Sequence, residues 1–342
     1  MNQNSQEKKS KIVNIDNGKA INILCTAPLH FLPDIRKQLE EKYNVIYAFR
    51  AKKSEVELLL KNIHGWIVDP GANYRVDDEL LAYAQNLEIL ITPSTGRDHV
   101  NREYLKSHDI FFDSLKGKDE IIKNIHASAE FSFALMLAMV RHLVPSVNAA
   151  EQGYWREIED DFRGIEVSGK KIGLIGYGRI GKKMATYSLA FGAEVIIYDP
   201  YVALEHSGNI TQVDSMHELL ETSDIVSIHV HLDDETANMF RAEHFNMMKK
   251  RSYFLNTARG GLVDESEMIK SLNSGHLIAA AVDVINGEQG DDLYNHEVIK
   301  YARNNLNLIV SPHIAGLTVD SQGKAAQFSI DAINKFYMGL KS

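Results

Sequence analysis

The 342-residue sequence has one cysteine, Cys25, and no long apolar run. A single cysteine cannot form an internal disulfide, which excludes a disulfide-stapled secreted scaffold and suits a reducing cytosol. The longest uncharged apolar stretch, residues 131–140, is far shorter than the roughly 20 residues that a membrane span requires. Residues 1–19 are polar and lack the apolar centre of a secretion signal. We therefore expect a cytoplasmic protein with a flexible tail at residues 1–19 and no membrane partner.

Positive charge is also scarce. The chain has 37 basic against 46 acidic residues, a formal net charge of -9, and no block of basic residues. This balance excludes a broad surface for the phosphates of nucleic acid. Repeats of fixed period and low-complexity segments are lacking too, which excludes a solenoid. No metal site is predicted.

Short apolar runs alternate with helix-length segments along most of the chain, which is typical of strands in βαβ units. The predicted strands are residues 21–26, 44–48, 66–69, 89–92 and 110–113 in the first third, and 172–175, 195–198, 225–229, 253–256, 279–284 and 308–311 later. Such alternation implies right-handed crossovers and parallel sheets. The predicted fold class is α/β, with two doubly wound parallel-sheet domains.

The segments between and after these strands indicate where the domains divide. Residues 121–152 are predicted to form a long helix with an apolar face. The last helix, residues 319–338, is too short to be a domain and is expected to pack on the first one. The first domain is thus predicted to comprise residues 20–117 plus 314–342, and the second residues 118–313. Two crossings between domains predict a hinge with a cleft.

A glycine motif follows the first strand of the second domain. The first two glycines allow a tight turn and close approach to a pyrophosphate, the third lets helix and strand touch, and the helix N-terminus attracts negative charge. Asp199 ends the next predicted strand, near the separation expected of an acid that binds the adenosine ribose. Because this carboxylate would repel a 2′-phosphate, we predict NAD rather than NADP. The motif reads Gly176, Tyr177, Gly178, Arg179, Ile180, Gly181.

Three later strands of the second domain each end in a residue with useful chemistry. Arg259 follows one strand, Asp283 and then Glu288 follow the next, and His313 follows the last. Taken singly, a surface cation, a loop carboxylate and a core histidine would explain these residues. Strands of one parallel sheet, however, bring their carboxyl ends to the same edge. Histidine exchanges protons near neutral pH, a carboxylate can orient it, and a guanidinium can bind a substrate carboxylate.

Three segments are similar to signatures of a known family: residues 173–181 (GLIGYGRIG), 256–265 (NTARGGLVDE) and 311–316 (SPHIAG). The sequence resembles the D-isomer-specific 2-hydroxyacid dehydrogenases, within them the phosphoglycerate dehydrogenase-like branch, over nearly all of its length after the tail. The resemblance implies a flavodoxin-like substrate domain and an NAD-binding Rossmann domain. It also implies that Arg259 binds substrate, that His313 is the catalytic acid/base and that Glu288 is its partner.

The resemblance assigns further residues. Asp283 would contact the nicotinamide amide and Asp199 the ribose, and the other expected cofactor-binding residues are His229, Thr257 and Ala258. Residues 93–99 match the family loop whose N–H groups bind the substrate carboxylate, and the expected substrate-binding residues there are Ser94, Thr95, Gly96 and Arg97. Where many members have proline, this chain has His231. That histidine either lies near the cofactor or has no role.

The expected function is NAD-dependent oxidation of a D-2-hydroxy acid or reduction of a 2-oxo acid, with a phosphoglycerate, glycerate/hydroxypyruvate or glyoxylate-type substrate. Two alternatives stay open: a formate- or phosphite-type dehydrogenase, and an NAD(H)-sensing, corepressor-like binding protein of the same fold. Residues 127–143 and Gly153-Tyr154-Trp155 resemble the family's dimer-forming segment. We expect a homodimer, the alternative being that the apolar helix packs within its own chain.

Overall fold

The computed structural model describes residues 12–204, 208–290 and 292–339. They form two compact units: unit 1 has the residues up to Ile125 and from Thr318 onwards, and unit 2 has His126–Leu317. Both junctions lie slightly later in the chain than the predicted boundaries. The first is later because Ile121, Ile122 and Ile125 pack against the core of unit 1.

Unit 1 contains a six-stranded sheet in the order β1-β3-β2-β4-β5-β6. All neighbours pair in parallel except β1, which runs antiparallel to β3. Without β1 the order is that of flavodoxin-like sheets. The strands are β1 Val13–Ile15, β2 Asn22–Cys25, β3 Asn44–Tyr47, β4 Gly65–Ile67, β5 Ile89–Thr92 and β6 Phe111–Ser114.

Strand β1 corrects the expectation of a loose tail. Residues 1–11 lie outside the described residues, but Val13–Ile15 pairs with the edge formed by β3. The five helices that cover this sheet before the crossing are α1 Pro33–Glu40, α2 Lys53–Leu59, α3 Asp78–Leu81, α4 Arg102–Ser107 and α5 Asp119–Ile122. Cys25 is fully buried in β2 as a free thiol, and burial raises its pKa. The reading of Cys25 as a buried, unpaired cysteine is confirmed.

Unit 2 contains a seven-stranded sheet, parallel throughout, in the order β13-β12-β11-β10-β7-β8-β9. This is a Rossmann order, and the direction of winding reverses between β7 and β10, where such sheets bind ligands. The strands are β7 Lys171–Ile175, β8 Glu194–Tyr198, β9 Ile210–Gln212, β10 Ile225–Ile228, β11 Ser252–Asn256, β12 Leu277–Val282 and β13 Leu308–Val310.

The helices of unit 2 cover both faces of this sheet, and one further helix returns to unit 1. In unit 2 they are α6 Ala127–Val140, α7 Leu143–Glu151, α8 Arg179–Ala190, α9 Met216–Thr222, α10 Ala242–Met247, α11 Glu265–Asn273 and α12 Glu297–Asn304, and the last helix is α13 Val319–Tyr337. In unit 1, α13 packs against α1 and β5.

The prediction of one helix over residues 121–152 is wrong. The segment forms α5, α6 and α7, and α6 ends where His142 adopts a left-handed backbone (φ 50°), a conformation that a continuous right-handed helix does not tolerate. Helix α6 packs against α8, β11 and β12 of its own unit, which agrees for this helix with the alternative that the apolar segment packs within its own chain. In the described residues no single helix is long and apolar enough to cross a membrane; only α6 and α7 together, bent by 65°, reach that length and composition.

Candidate functional site

The glycine motif forms the turn between β7 and α8. Gly176 has a positive φ of 94°, and a Cβ atom there would lie 2.8 Å from the carbonyl oxygen of His229. A Cβ atom on Gly181 would lie 2.2 Å from the carbonyl oxygen of Gly176. Both glycines are therefore required by the packing of the chain itself. Gly178 differs, since a Cβ atom there would meet no atom within 4 Å, so the space beside the first turn of α8 suits the close approach of a phosphate.

Asp199 follows β8 and is tied to the glycine turn. Its Oδ2 accepts a hydrogen bond from the Tyr177 N–H (2.8 Å), and its Oδ1 accepts one from the Tyr201 N–H (3.0 Å). The Tyr201 hydroxyl donates to Glu235 (3.1 Å). Glu235, with smaller effects from Asp233 and Asp199, raises the pKa of Tyr201. These carboxylates concentrate negative charge beside the glycine turn.

Two basic residues of the predicted cofactor site are partly buried. Arg179 begins α8, and burial lowers the pKa of its guanidinium. His229 follows β10, donates its N–H to the Ile175 carbonyl (2.7 Å) and has its ring Nε2 2.8 Å from Ser227 Oγ. Burial lowers the pKa of His229 to about 4, so the ring is neutral at neutral pH. His231, two residues later, is exposed.

Arg259 lies on a turn after β11 that is closed by Asn256. Asn256 Oδ1 accepts from the Ala258 N–H (3.0 Å), and its Nδ2 donates to the Arg259 carbonyl (2.9 Å). Thr257 Oγ1 lies 2.7 Å from Ser132 Oγ on α6. The Arg259 guanidinium donates to the Ala258 carbonyl (2.8 Å) and stays partly exposed. The backbone of Arg259 is thus fixed by Asn256 at the end of the buried strand β11, and its guanidinium stays partly exposed.

The structure brings His313 and Glu288 together. Glu288 Oε1 lies 2.6 Å from His313 Nδ1, and the side chains are 28% and 47% exposed. His313 has a positive φ of 53°, a backbone strain that clusters at functional sites in folded proteins. Nδ1 is the ring nitrogen that faces the carboxylate, and Nε2 is not engaged by Glu288.

Asp283 has a structural role that the sequence analysis missed. It follows β12 and is only 1% exposed. Its Oδ1 accepts from Ser311 Oγ (2.6 Å) and from the Ile314 N–H (3.0 Å), and its Oδ2 accepts from the Ala315 N–H (2.8 Å). The Asp283 carbonyl also accepts the His313 N–H (2.8 Å). Asp283 therefore braces the loop that carries His313, while a contact with the nicotinamide stays a prediction.

In unit 1, the predicted carboxylate loop follows β5 and is ordered by its own hydrogen bonds. Ser94 Oγ donates to the Gly96 carbonyl (2.6 Å). Thr92 Oγ1 lies 3.3 Å from Ser94 Oγ and 3.0 Å from Nε2 of the buried His99. Neither Thr92 nor His99 was among the expected substrate-binding residues. The remaining members, Thr95 and Arg97, are partly exposed, and burial together with Arg102 lowers the pKa of Arg97.

Comparison with known proteins decides the family. Residues 133–315 match the model described as D-isomer specific 2-hydroxyacid dehydrogenase, NAD binding domain. The chain belongs to this family. It is 31% identical over 321 residues to D-3-phosphoglycerate dehydrogenase of Methanocaldococcus jannaschii (93% of this chain, 58% of the relative) and 33% identical over 263 residues to glyoxylate reductase of Thermofilum pendens (75% and 73%). The chain thus spans little more than half the length of the first relative.

A solved structure adds to this. The crystal structure of NAD-dependent formate dehydrogenase from Staphylococcus aureus in complex with NAD matches with a TM-score of 0.79 and 25% identity, covering 94% of this chain and 97% of that one. The predicted family, the α/β fold with two parallel-sheet domains and NAD as cofactor are confirmed.

Proposed function

We propose that the chain is an NAD-dependent D-2-hydroxyacid dehydrogenase or 2-oxo acid reductase, in which His313 exchanges the proton at the substrate oxygen. The observation that carries this proposal is the 2.6 Å contact between His313 Nδ1 and Glu288 Oε1. A carboxylate on Nδ1 orients the ring and stabilises the imidazolium, and a histidine so held is suited to general acid/base catalysis near neutral pH.

When bound, NADH would supply the hydride for the carbonyl carbon. In that reduction the imidazolium of His313 donates its Nε2 proton to the carbonyl oxygen, and Glu288 stabilises the charge before transfer. Arg259 binds the substrate carboxylate and polarises the adjacent carbonyl. In unit 1, Ser94, Thr95, Gly96 and Arg97 are proposed to offer N–H groups and a cation to a substrate carboxylate. In the oxidative direction His313 accepts the hydroxyl proton.

For the cofactor, we propose that Gly176–Gly181 and the start of α8 hold the pyrophosphate and that Asp199 holds the adenosine ribose. His229, Thr257, Ala258 and Asp283 are proposed to contact the nicotinamide half. Neutral His229 would act there as a hydrogen-bonding group rather than as a cation. The open space beside Gly178 and the anchored Asp199 carboxylate support this assignment.

The substrate is proposed to be a small acid of the phosphoglycerate, glycerate/hydroxypyruvate or glyoxylate type. The deciding experiment is a screen of NADH oxidation over glyoxylate, hydroxypyruvate, 3-phosphohydroxypyruvate and pyruvate, with NAD reduction by formate and phosphite as further arms. Turnover of a 2-oxo acid that falls about a hundredfold to ten-thousandfold in His313→Ala, with NADH binding kept, supports the proposal. His217→Gln, an exposed histidine on α9, is the matched control.

Two outcomes would replace this function. Turnover of formate or phosphite alone would indicate a formate- or phosphite-type dehydrogenase, as the similar Staphylococcus aureus enzyme is named. Tight NADH binding with no turnover of any arm would indicate a cofactor-sensing binding protein.

We also propose a cytoplasmic homodimer. Large apolar side chains of α7 and of the segment after it are exposed: Leu143, Val144, Val147, Tyr154 and Trp155. Such a patch favours a protein partner. Light scattering is expected to give twice the chain mass for the wild type and a lower mass for Val147→Glu. Leu58→Glu, which changes an exposed residue of α2, is expected to leave the mass unchanged.

A further inference from the structure

A buried carboxylate lies next to the loop that carries Glu288. Glu265 is the first residue of α11 and is only 8% exposed. Its Oε1 accepts a hydrogen bond from the Asn286 N–H (2.7 Å), and its Oε2 lies 3.6 Å from Nε2 of His296. Glu265 thus joins two segments that follow β12 to the turn that follows β11.

The backbone carbonyl of Asn286 also has a hydrogen-bond partner. The Asn286 carbonyl accepts from His296 Nε2 (2.9 Å), and His296 Nδ1 accepts from the Val298 N–H (3.3 Å). Since Nδ1 is an acceptor, the proton of the neutral His296 ring is on Nε2. Both backbone groups of Asn286 therefore have buried or half-buried partners that fix its position.

The loop that carries Asn286 and Glu288 is also in close backbone contact with Gly260. A Cβ atom on Gly260 would lie 2.0 Å from the Ile285 carbonyl carbon and 2.3 Å from the Asn286 nitrogen. The start of the loop therefore rests directly on the turn that follows Arg259. Only Gly287, with a φ of 69°, separates Asn286 from Glu288.

We propose that Glu265 is a positioning residue for the acid/base pair: it anchors the Glu288 loop through the Asn286 N–H, and its charge sets the proton affinity of His313. This rests on the proposed role of His313. Glu265 touches neither substrate nor cofactor in this scheme and acts through Glu288.

The electrostatic surroundings of Glu265 make its charge responsive near neutrality. Burial is the main cause that raises its pKa to about 7; the Asn286 N–H opposes this, and the charges of Glu297, Glu288 and Asp264 add to it. Facing it are thus Asp264 at the start of α11, Glu288 on the loop, and His296 and Glu297 at the start of α12. When ionised, Glu265 adds negative charge that interacts with Glu288 and favours the imidazolium of His313.

The test separates charge from anchoring. Glu265→Gln keeps an oxygen acceptor for the Asn286 N–H and removes the charge, whereas Glu265→Leu removes both. Glu267→Gln, which removes a carboxylate paired with Lys270 on the same helix, is the matched control. The readout is the titration of ¹³C-labelled histidine rings followed by NMR without substrate, with the His313 signal assigned as the one lost in His313→Gln.

The expected result is that the His313 titration midpoint moves to lower pH by about half a unit in Glu265→Gln and does not move in Glu267→Gln. Glu265→Leu is expected to lower kcat by up to about a hundredfold, because a misplaced acid loses alignment, while the dissociation constant for NADH stays unchanged. A His313 midpoint that is the same in Glu265→Gln and in the wild type overturns the inference.

Failure of the proposed function would look different. If no 2-oxo acid is turned over but the His313 midpoint still responds to Glu265→Gln, the coupling holds and the assigned reaction is wrong. If turnover occurs and the midpoint is insensitive to Glu265, the reaction holds and the coupling is wrong.

Discussion

His313 and Glu288 are 25 positions apart in sequence, and their side chains meet at 2.6 Å between Nδ1 and Oε1. The contact joins the loop after β13 to the loop after β12. Asp283 fixes the first loop through three hydrogen bonds, and Glu265 with His296 holds the second. Each of the two loops that carry the pair is therefore held by a buried carboxylate.

Replacing Glu288 with Gln tests the pair directly. An amide cannot stabilise the imidazolium by charge, so the midpoint of the pH profile for reduction is expected to move to lower pH. The loss of turnover should be smaller than the roughly hundredfold to ten-thousandfold loss expected on removing the acid itself. The measurement is kcat/KM from pH 5 to 9, with Glu243→Gln, an exposed carboxylate on α10, as control. An unchanged profile would show that the two residues do not work together.

Two glycines of one motif should respond differently to alanine. Gly178→Ala meets no protein atom, so its thermal stability is expected to match the wild type while NADH binding weakens. Gly181→Ala forces a Cβ atom against the Gly176 carbonyl oxygen, so its melting temperature is expected to fall. Thermal unfolding and NADH fluorescence titration measure the two effects. Unimpaired NADH binding in Gly178→Ala would argue against a phosphate at this turn.

Cofactor preference is expected to depend on Asp199. Asp199→Ser removes the charge that accepts hydrogen bonds from a ribose and repels a 2′-phosphate. Losing a hydrogen bond to a charged group costs about 1.5–3 kcal/mol, so the preference for NADH over NADPH in kcat/KM should narrow by about tenfold or more. Asp214→Ser, at an exposed position, is the control. Equal use of both cofactors by the wild type would contradict the assignment.

The alternation of buried apolar runs with helical segments was enough to predict eleven strands and both sheets. Strands β1 and β9 were not predicted because Val13–Ile15 and Ile210–Gln212 are short, half-exposed edge strands without an apolar run. The break between α6 and α7 was not predicted, for a different reason. No glycine marks the left-handed backbone at His142, and the prediction of one long helix did not take account of Pro145 in the first turn of α7, although a proline inside a helical run ends or kinks the helix.

The contact between His313 and Glu288 was predictable, because each residue follows a strand of the same parallel sheet; that Arg259 joins them stays a prediction. The residues that support the pair were not predictable. Glu265 reaches a backbone N–H 21 positions later, and Asp283 binds backbone groups about 30 positions later. Each of these hydrogen bonds depends on the path of two loops at the edge of the sheet, and local sequence spacing does not predict that path.

His229 is expected to make unit 2 sensitive to mild acid. Its pKa is lowered to about 4 in the folded chain by burial, against about 6.5 when unfolded. The unfolded state therefore binds the proton more readily, and stability contributed by neutral His229 is lost as pH falls from about 6.5 towards 4. Between pH 7 and 5 the loss is roughly 2 kcal/mol. Urea unfolding should show a weaker pH dependence for His229→Asn than for the wild type; equal slopes would contradict the burial of a neutral ring.

Arg259→Lys tests whether carboxylate recognition requires the guanidinium fork or only a positive charge. Lysine keeps the charge but cannot donate two parallel hydrogen bonds to one carboxylate. A loss of about 1.5–3 kcal/mol corresponds to about a tenfold to 150-fold fall in kcat/KM for glyoxylate, with the dissociation constant for NADH unchanged. Arg156→Lys, at a position where the side chain is exposed, is the control.

The same variant should be compared on a carbonyl compound that lacks the carboxylate, such as glycolaldehyde. If Arg259 acts by binding the carboxylate, the wild type is already slow with glycolaldehyde and the Arg259→Lys penalty is nearly absent, because the interaction that lysine fails to make is missing from this substrate. Equal penalties on both substrates would instead place Arg259 at the reacting carbonyl. The ratio of the two losses in kcat/KM thus shows whether Arg259 acts on the substrate carboxylate or on the reacting carbonyl.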